Sequence, residues 1–324
     1  MADKPISRNK SGFAYGPYFR EMTVQHDTMM MPENKSWLAV PDKDPEPHKV
    51  VLYLGCNVLR TSHMIRTVTD VFDLLGVDYV AVGGPAYCCG IVHQRKGDTE
   101  LSQTMGTNTV KYFERYQPER VVMWCPSCIY YYDDVFQVPA SFETLHVTEF
   151  LVEQLDKMNL APQPSQKVAL HYHSAHPRRL QEARAAEQLL SALPGVEYID
   201  IGTDDRLEKA CSPSSLEVTG EELWKEIVEG QLQAAADAGV TTFANLYHGC
   251  QRQICGYEAN QPFTVEHYLS VFARALGIEH EDTYKKYMLL GDTDKILADM
   301  APCMQANGVK PEEARRMVDR TFSG

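Results

Sequence analysis

No stretch of about 18 uncharged apolar residues occurs in the 324-residue chain, so nothing in it predicts a membrane-spanning helix. The opening MADKPISRNKSG lacks the apolar core of a secretory leader, and a soluble, cytoplasmic protein is the expectation. Positive charge is also short: 31 Lys and Arg stand against 44 Asp and Glu, a formal net charge of −13. Nucleic-acid binders need a basic face, which leaves protein partners or small substrates. The fingerprints G-x-G-x-x-G, Walker A and G-x-S-x-G are all missing, so nucleotide and serine-hydrolase chemistry lack support.

Cysteine, by contrast, occurs nine times. A reducing compartment does not keep disulfides, and an odd number cannot pair completely within one chain, so metal or redox chemistry explains these thiols better. The stretch GGPAYCCG (83–90) sets Cys88 directly beside Cys89. Neighbouring side chains on an extended chain point in opposite directions and a vicinal disulfide is strained, so the pair suits neither core packing nor a bridge.

Residues 1–48 carry Pro5, Pro17, Pro32, Pro41, Pro45 and Pro47 without a clear period, interrupted by Phe13, Tyr15, Tyr18, Phe19 and Met29 to Met31. They read as an extended N-terminal arm. From Lys49 the pattern becomes buried-strand runs alternating with amphipathic helices: KVVLYL (49–54), a helix in 61–76, VDYVAV (77–82), a helix from Thr99 to Tyr116, and RVVMW (120–124). The order then recurs, with KVALHY (167–172), VEYIDI (196–201) and TTFANLYHGC (241–250). Lys49 to Lys167, Val77 to Val196 and Cys128 to Cys250 are offsets of 118, 119 and 122 residues, the mark of a duplicated α/β domain. The chain thus divides into the arm (1–48), a first domain (49–150), a linker helix and second domain (151–276), and a helical tail (277–324).

In the first copy Cys56 follows the first strand, Cys88 and Cys89 the second, and Cys125 and Cys128 the third. All five are therefore expected at the carboxyl ends of a parallel sheet, where open α/β sheets place their ligands. Zinc would take four ligands and leave a thiolate idle, whereas iron–sulfur clusters take thiolates on several irons. A cluster is favoured, with a zinc site or unligated buried thiols as the alternatives.

The spacing Cys-x31-Cys-Cys-Gly-x35-Cys-x2-Cys resembles the cysteine-rich "CCG" domain found in the B-type subunits of heterodisulfide reductases and in iron–sulfur subunits of glycolate and lactate oxidases. The resemblance implies two tandem pseudo-symmetric parallel-sheet CCG domains, and a noncubane [4Fe–4S] cluster held by Cys56, Cys88, Cys89, Cys125 and Cys128. The arm, the HGCQRQIC stretch and the altered second motif look most like the second B-type subunit of sulfur-oxidising heterodisulfide-reductase-like complexes. Implied with it are electron transfer to or from a thiol, disulfide or protein-bound sulfur, and an assembly with a flavin-bearing A-type subunit, a cubane-bearing C-type subunit, a B-type paralogue and lipoate-binding proteins. One alternative is an electron-relay subunit of a lactate- or glycolate-oxidase-type complex, although the C-x2-C-x2-C motif common there is absent. Another is a zinc-bound assembly scaffold.

The second copy departs from the family pattern. His176 in YHSAH (172–176) stands where the family often has cysteine, KACSPS (209–214) keeps only Cys211 of the pair, and YHGC (247–250) keeps only Cys250, with Cys255 five residues on. His173, His176, Cys211, His248, Cys250 and Cys255 form a mixed nitrogen and sulfur set suited to zinc, to an iron–sulfur cluster of altered ligation, or to plain hydrogen bonding. An imidazole beside a sulfur-binding iron can exchange a proton near neutral pH, so His173, His176 and His248 are the candidate catalytic residues. His63 and His93 are weaker candidates, Arg178 and Arg179 suit either an anion or a helix surface, and Cys303 reads as a packed thiol.

Overall fold

The computed structural model describes residues 7–38, 44–136 and 141–323. Eight strands form two four-stranded sheets: β1 (Val50–Gly55), β2 (Tyr79–Gly83), β3 (Arg120–Met123) and β4 (Glu143–His146), then β5 (Gln166–His171), β6 (Val196–Ile199), β7 (Thr242–Asn245) and β8 (Thr264–His267). The orders are β2-β1-β3-β4 and β6-β5-β7-β8, the same topology twice. β1 is buried along its whole length, as a β-branched, apolar strand covered on both faces of a parallel sheet should be. It pairs parallel with both neighbours, Val51 opposite Val80 and Val121. β5 does the same, with Val168 opposite Tyr198 and Thr242. Each sheet therefore has its topological switch point beside its first strand, the place where such sheets open a ligand crevice.

The fourth strand of each sheet is absent from the sequence reading, because ETLH and TVEH are too short and too polar to stand out from loop. Both end in a buried histidine that caps the next helix: His146 accepts from the Thr148 amide and His267 from the Leu269 amide. A repeated cap at equivalent places is further evidence of duplication.

By packing, the chain divides into two compact units, 1–62 with 78–144 and 286–324, and 63–77 with 145–285. The boundaries at 150 and 276 mark the sequence repeat; the packing units instead regroup distant segments. The N-terminal segment is helical over Tyr15–Met29, where an extended arm was expected, and it packs on helices Thr293–Asn307 and Pro311–Thr321 of the same unit. Its buried Met22 and Val24 supply the apolar side, and the Asn307 amide closes its end by donating to the carbonyls of Asp27 and Met30. Within 1–48, Pro5 and Pro41 lie outside the described residues.

Candidate functional site: two donor sets at equivalent sheet edges

The five first-copy cysteines are all buried and none is in a disulfide. Cys56 is the residue after β1. Cys88 and Cys89 follow β2 through the short helical turn Pro85–Tyr87. Cys125 caps the helix Pro126–Tyr130, whose first turn carries Cys128. The carboxyl ends of three parallel strands thus deliver five thiols. They form one connected row: Cys125 contacts Cys128, Cys128 contacts Cys89, Cys89 contacts Cys88, and Cys88 contacts Cys56.

Close approach of the backbone makes the row possible. Gly55 has φ +72°, and a Cβ there would lie 3.0 Å from the Cys125 Cβ and 3.3 Å from the Cys128 Sγ. Gly90 after the pair has φ +98°, and its Cβ would stand 2.5 Å from the Ser102 carbonyl oxygen. Around the sulfurs, Tyr53 donates its hydroxyl to the Tyr87 carbonyl and lies 3.7 Å from the Cys128 Sγ, while Thr109 donates to the Cys88 carbonyl at 2.9 Å. His93 is buried, stacks on Tyr15 with ring centroids 4.1 Å apart, and hydrogen-bonds Cys88. Met22 of the N-terminal helix packs on Cys56 and Cys88, with Tyr18, Phe19 and Met105 beside it. This cover was not visible in the sequence, where the helix was not recognised.

Electrostatics oppose five free thiolates. The bond to Cys88 and burial push the Cys56 thiol up; Cys128 is pushed up by Cys125, Cys89 and burial. Cys88 goes down because it accepts from Cys56 and Cys89 and is bonded by His93. A cationic centre is what would let the whole row ionise.

The second sheet edge carries a different set. His171, the last residue of β5, joins His173, Cys211 and Cys250, and the four donor atoms lie within 4.8 Å of one another, all buried. Among the described residues this is the one such group of three or more. His171 Nε2 is 3.3 Å from Cys211 Sγ, and His173 Nε2 is 3.2 Å from Cys250 Sγ and 3.7 Å from Cys211 Sγ. His171 was missed because, as a single polar residue ending an apolar strand, it reads as strand. The alternation His-x-His at a strand end was the available signal, since it carries both rings to the same face.

The structure does not bring His176, His248 or Cys255 into this group. His176 caps helix Pro177–Ser191 by accepting from the Arg178 amide. His248 is buried in the first turn of helix His248–Ile254, and burial with Arg252 nearby pulls its pKa down to about 3. Cys255 lies beyond the end of that helix, its thiol pushed up by burial. His173 has its Nδ1 3.2 Å from the Glu208 carbonyl oxygen and its Nε2 among the thiols. Of the three histidines expected to be catalytic, His173 alone therefore lies in the donor set, and His176 and His248 stand outside it.

The remaining candidates are held internally. Arg179 and Glu182 form a buried ion pair at 2.8 Å, Arg178 reaches Glu149 at 2.8 Å, and His63 lies 3.4 Å from Asp282. Neither arginine is free for an external anion. Cys303 is a partly buried thiol within helix Thr293–Asn307.

Residues 50–131 match the cysteine-rich domain family CCG. The chain is similar to the D subunit of the dihydromethanophenazine:CoB–CoM heterodisulfide reductase of Methanosarcina barkeri, 21% identical over 285 residues, 81% of this chain and 69% of that protein. The corresponding protein of Methanosarcina acetivorans is 20% identical over 259 residues, 76% of this chain and 63% of that one. Lactate utilization protein A of Macrococcus caseolyticus is 28% identical over 169 residues, 47% of this chain and 66% of that protein. The chain spans about two thirds of the length of these relatives. Residues 50–131 are therefore a CCG cysteine-rich domain, and the relatives that resemble the longer chain are named as heterodisulfide reductase subunits. Among the described residues no helix is long and apolar enough to cross a membrane.

Proposed function

We propose that this chain is an iron–sulfur subunit of a heterodisulfide-reductase-like complex, exchanging electrons with a thiol, disulfide or protein-bound sulfur substrate in the direction of sulfur oxidation. The observation that carries the reading is the connected row of five thiols at the carboxyl ends of β1, β2 and β3. A mononuclear ion needs its donors around one point; the row is more extended than that and offers one thiol too many for a tetrahedral ion. It fits a noncubane [4Fe–4S] cluster held by Cys56, Cys88, Cys89, Cys125 and Cys128, which when bound would supply one-electron chemistry with access to a substrate sulfur.

The chain's own residues prepare that place. Gly55 lets the end of β1 close on Cys125 and Cys128, Gly90 lets the turn after the cysteine pair close on Ser102, Met22 and its aromatic neighbours keep water from Cys56 and Cys88, and His93 donates to Cys88 and so stabilises its thiolate. The proposed partners are an A-type flavin subunit, a C-type cubane subunit, a B-type paralogue and a lipoate-binding protein that presents the sulfur.

Anaerobically prepared protein should contain about four iron and four acid-labile sulfide per chain. Cys88→Ser or Cys89→Ser should disrupt the cluster. Normal iron with unchanged spectra in both variants would overturn the ligand assignment, and zinc without sulfide in this row would turn the reading to a scaffold. Similarity to lactate utilization protein A favours a second reading, an electron relay for lactate or glycolate oxidation. The assembled complex separates the two: cluster spectra that respond to a disulfide or lipoate-bound sulfur support the first, and a response only to lactate or glycolate supports the second.

A further inference from the structure

We propose that His171, His173, Cys211 and Cys250 form a closed, structural zinc site that is redox-inert and independent of the five-cysteine row. The four donor atoms stand at the separations a single tetrahedral ion needs. Tetrahedral zinc with bonds of about 2.3 Å to sulfur and 2.0–2.1 Å to nitrogen sets its nitrogen and sulfur donors about 3.5 Å apart. The three nitrogen–sulfur separations here are 3.2, 3.3 and 3.7 Å. Cys250 also contacts His171 and Cys211, so each sulfur meets both imidazoles and the other sulfur. The two imidazole rings stand at 86° with centroids 5.2 Å apart, which aims their Nε2 atoms without stacking the rings.

Donor identity agrees. Two imidazoles and two thiols in a tetrahedral set suit zinc, and over ferrous iron the usual order of stability favours zinc. A two-iron cluster with the same four ligands needs the thiols on one iron and the imidazoles on the other, with bridging sulfides between. Contact between each sulfur and both imidazoles leaves no room for that separation. A catalytic zinc would keep one position open, whereas four protein donors close this one.

The surrounding groups select the metal-ready form of each donor. His171 Nδ1 lies 2.8 Å from the Gln231 Oε1 and His173 Nδ1 lies 3.2 Å from the Glu208 carbonyl oxygen, both acceptors. Each ring therefore carries its proton on Nδ1 and turns a bare Nε2 lone pair inward. The indole of Trp224 can only donate, and it donates to Cys211 Sγ at 3.3 Å, as a thiolate requires. Trp224 and Gln231 lie seven positions apart on helix Glu221–Asp237 and so share one face, which makes that helix the outer wall of the site. Zinc binding releases two thiol protons, and one divalent cation with two thiolates and two neutral imidazoles has no net charge. That balance is what makes a fully buried set tolerable.

The test is metal analysis of the full-length protein prepared anaerobically in zinc-replete medium, with circular dichroism as the check on folding. Wild type should carry about one zinc per chain in addition to any iron, and Cys56→Ser should keep the zinc whatever happens to iron. His176→Ala, outside the donor set, should also keep it. The pair His171→Ala with Cys250→Ala should lose at least nine tenths of the zinc, while His173→Cys, which substitutes another zinc-binding donor, should retain it and so shows that loss is not mere unfolding. Cobalt loaded in place of zinc should give the intense visible bands of a tetrahedral thiolate site. Absence of zinc from wild type, zinc loss in Cys56→Ser, or full zinc in the folded double variant would each overturn the proposal. Iron reports on the row and zinc on this site, so either assignment can fail alone.

Discussion

Replacing Gly55 by alanine tests whether the first-copy thiols are held by backbone closeness. Gly55 ends β1 at φ +72°, a conformation that costs a residue with a Cβ about 1–2 kcal/mol. The new methyl would also meet the Cys125 Cβ at 3.0 Å and the Cys128 Sγ at 3.3 Å. Relieving such overpacking costs roughly another 1–3 kcal/mol, and the loop bearing both cysteines must give by a few tenths of an ångström. Gly76→Ala is the internal control, because Gly76 has φ +62° but nothing within 4 Å of its added Cβ. It bears the conformational cost alone. At about 2–4 °C per kcal/mol, Gly55→Ala should melt roughly 2–12 °C below Gly76→Ala in metal-free protein followed by circular dichroism. Reconstitution should separate them further, with iron reduced in Gly55→Ala and normal in Gly76→Ala. Equal melting and equal iron in the two variants would show that Cys125 and Cys128 are not positioned against the end of β1.

Two further outcomes follow from buried charge. Glu182→Gln should destabilise the second unit by about 3–5 kcal/mol in urea unfolding, because Arg179 loses its carboxylate partner, while the paired change Arg179→Met with Glu182→Leu should recover most of that loss. Burial raises the Glu182 pKa, but Arg179, His146 and the Tyr247 hydroxyl outweigh it and hold the carboxyl below its ordinary 4.5; the stabilisation is present above that pH and fades as pH falls through the lower folded value, a decline that Glu182→Gln should lack. His26 is held down to about 3 by burial and by Lys35, so the folded protein keeps it neutral while the unfolded chain protonates below the ordinary 6.5. Stability should therefore drop by about 1.4 kcal/mol for each pH unit between those values, and His26→Phe should flatten that slope in urea titrations.

Legibility in the sequence tracked how far each signal is local. β1, β2 and β3 are visible because they read as short apolar runs, β1 being buried along its whole length, and their repetition at β5, β6 and β7 marks the duplicated α/β class. With strands placed, Cys56, Cys88, Cys89, Cys125 and Cys128 fell at one sheet edge by topology alone. The N-terminal helix was hidden because its apolar face is short and mixed, with Gln25, His26 and Thr28 buried beside Met22 and Val24. Its burial depends on partners near residue 300, a separation no local pattern encodes. In the second copy the family's cysteine positions point to His176 beside His173, whereas the sheet register sets His171 beside His173 and leaves His176 outside. His176 fills a cap, a role that its place before Pro177 also fits.

The two edges show how one fold can present different donors from equivalent strand ends. Cys125 and Tyr247 each cap the helix that follows the third strand of a sheet, and Cys128 and Cys250 each lie three residues further on. At the first edge the cap residue is itself a thiol and extends the row. At the second, the Tyr247 ring stacks on His173 with centroids 5.9 Å apart and its hydroxyl donates to Glu182, which Arg179 holds from the other side. The tyrosine thus turns its hydroxyl into the ion pair and leaves its ring as a wall against His173. The ring takes the place at which the first edge carries its cap thiol. Under the proposed assignments, the difference between a row that would hold several irons and a pocket that would hold one ion rests on the cap position as much as on the ligands themselves.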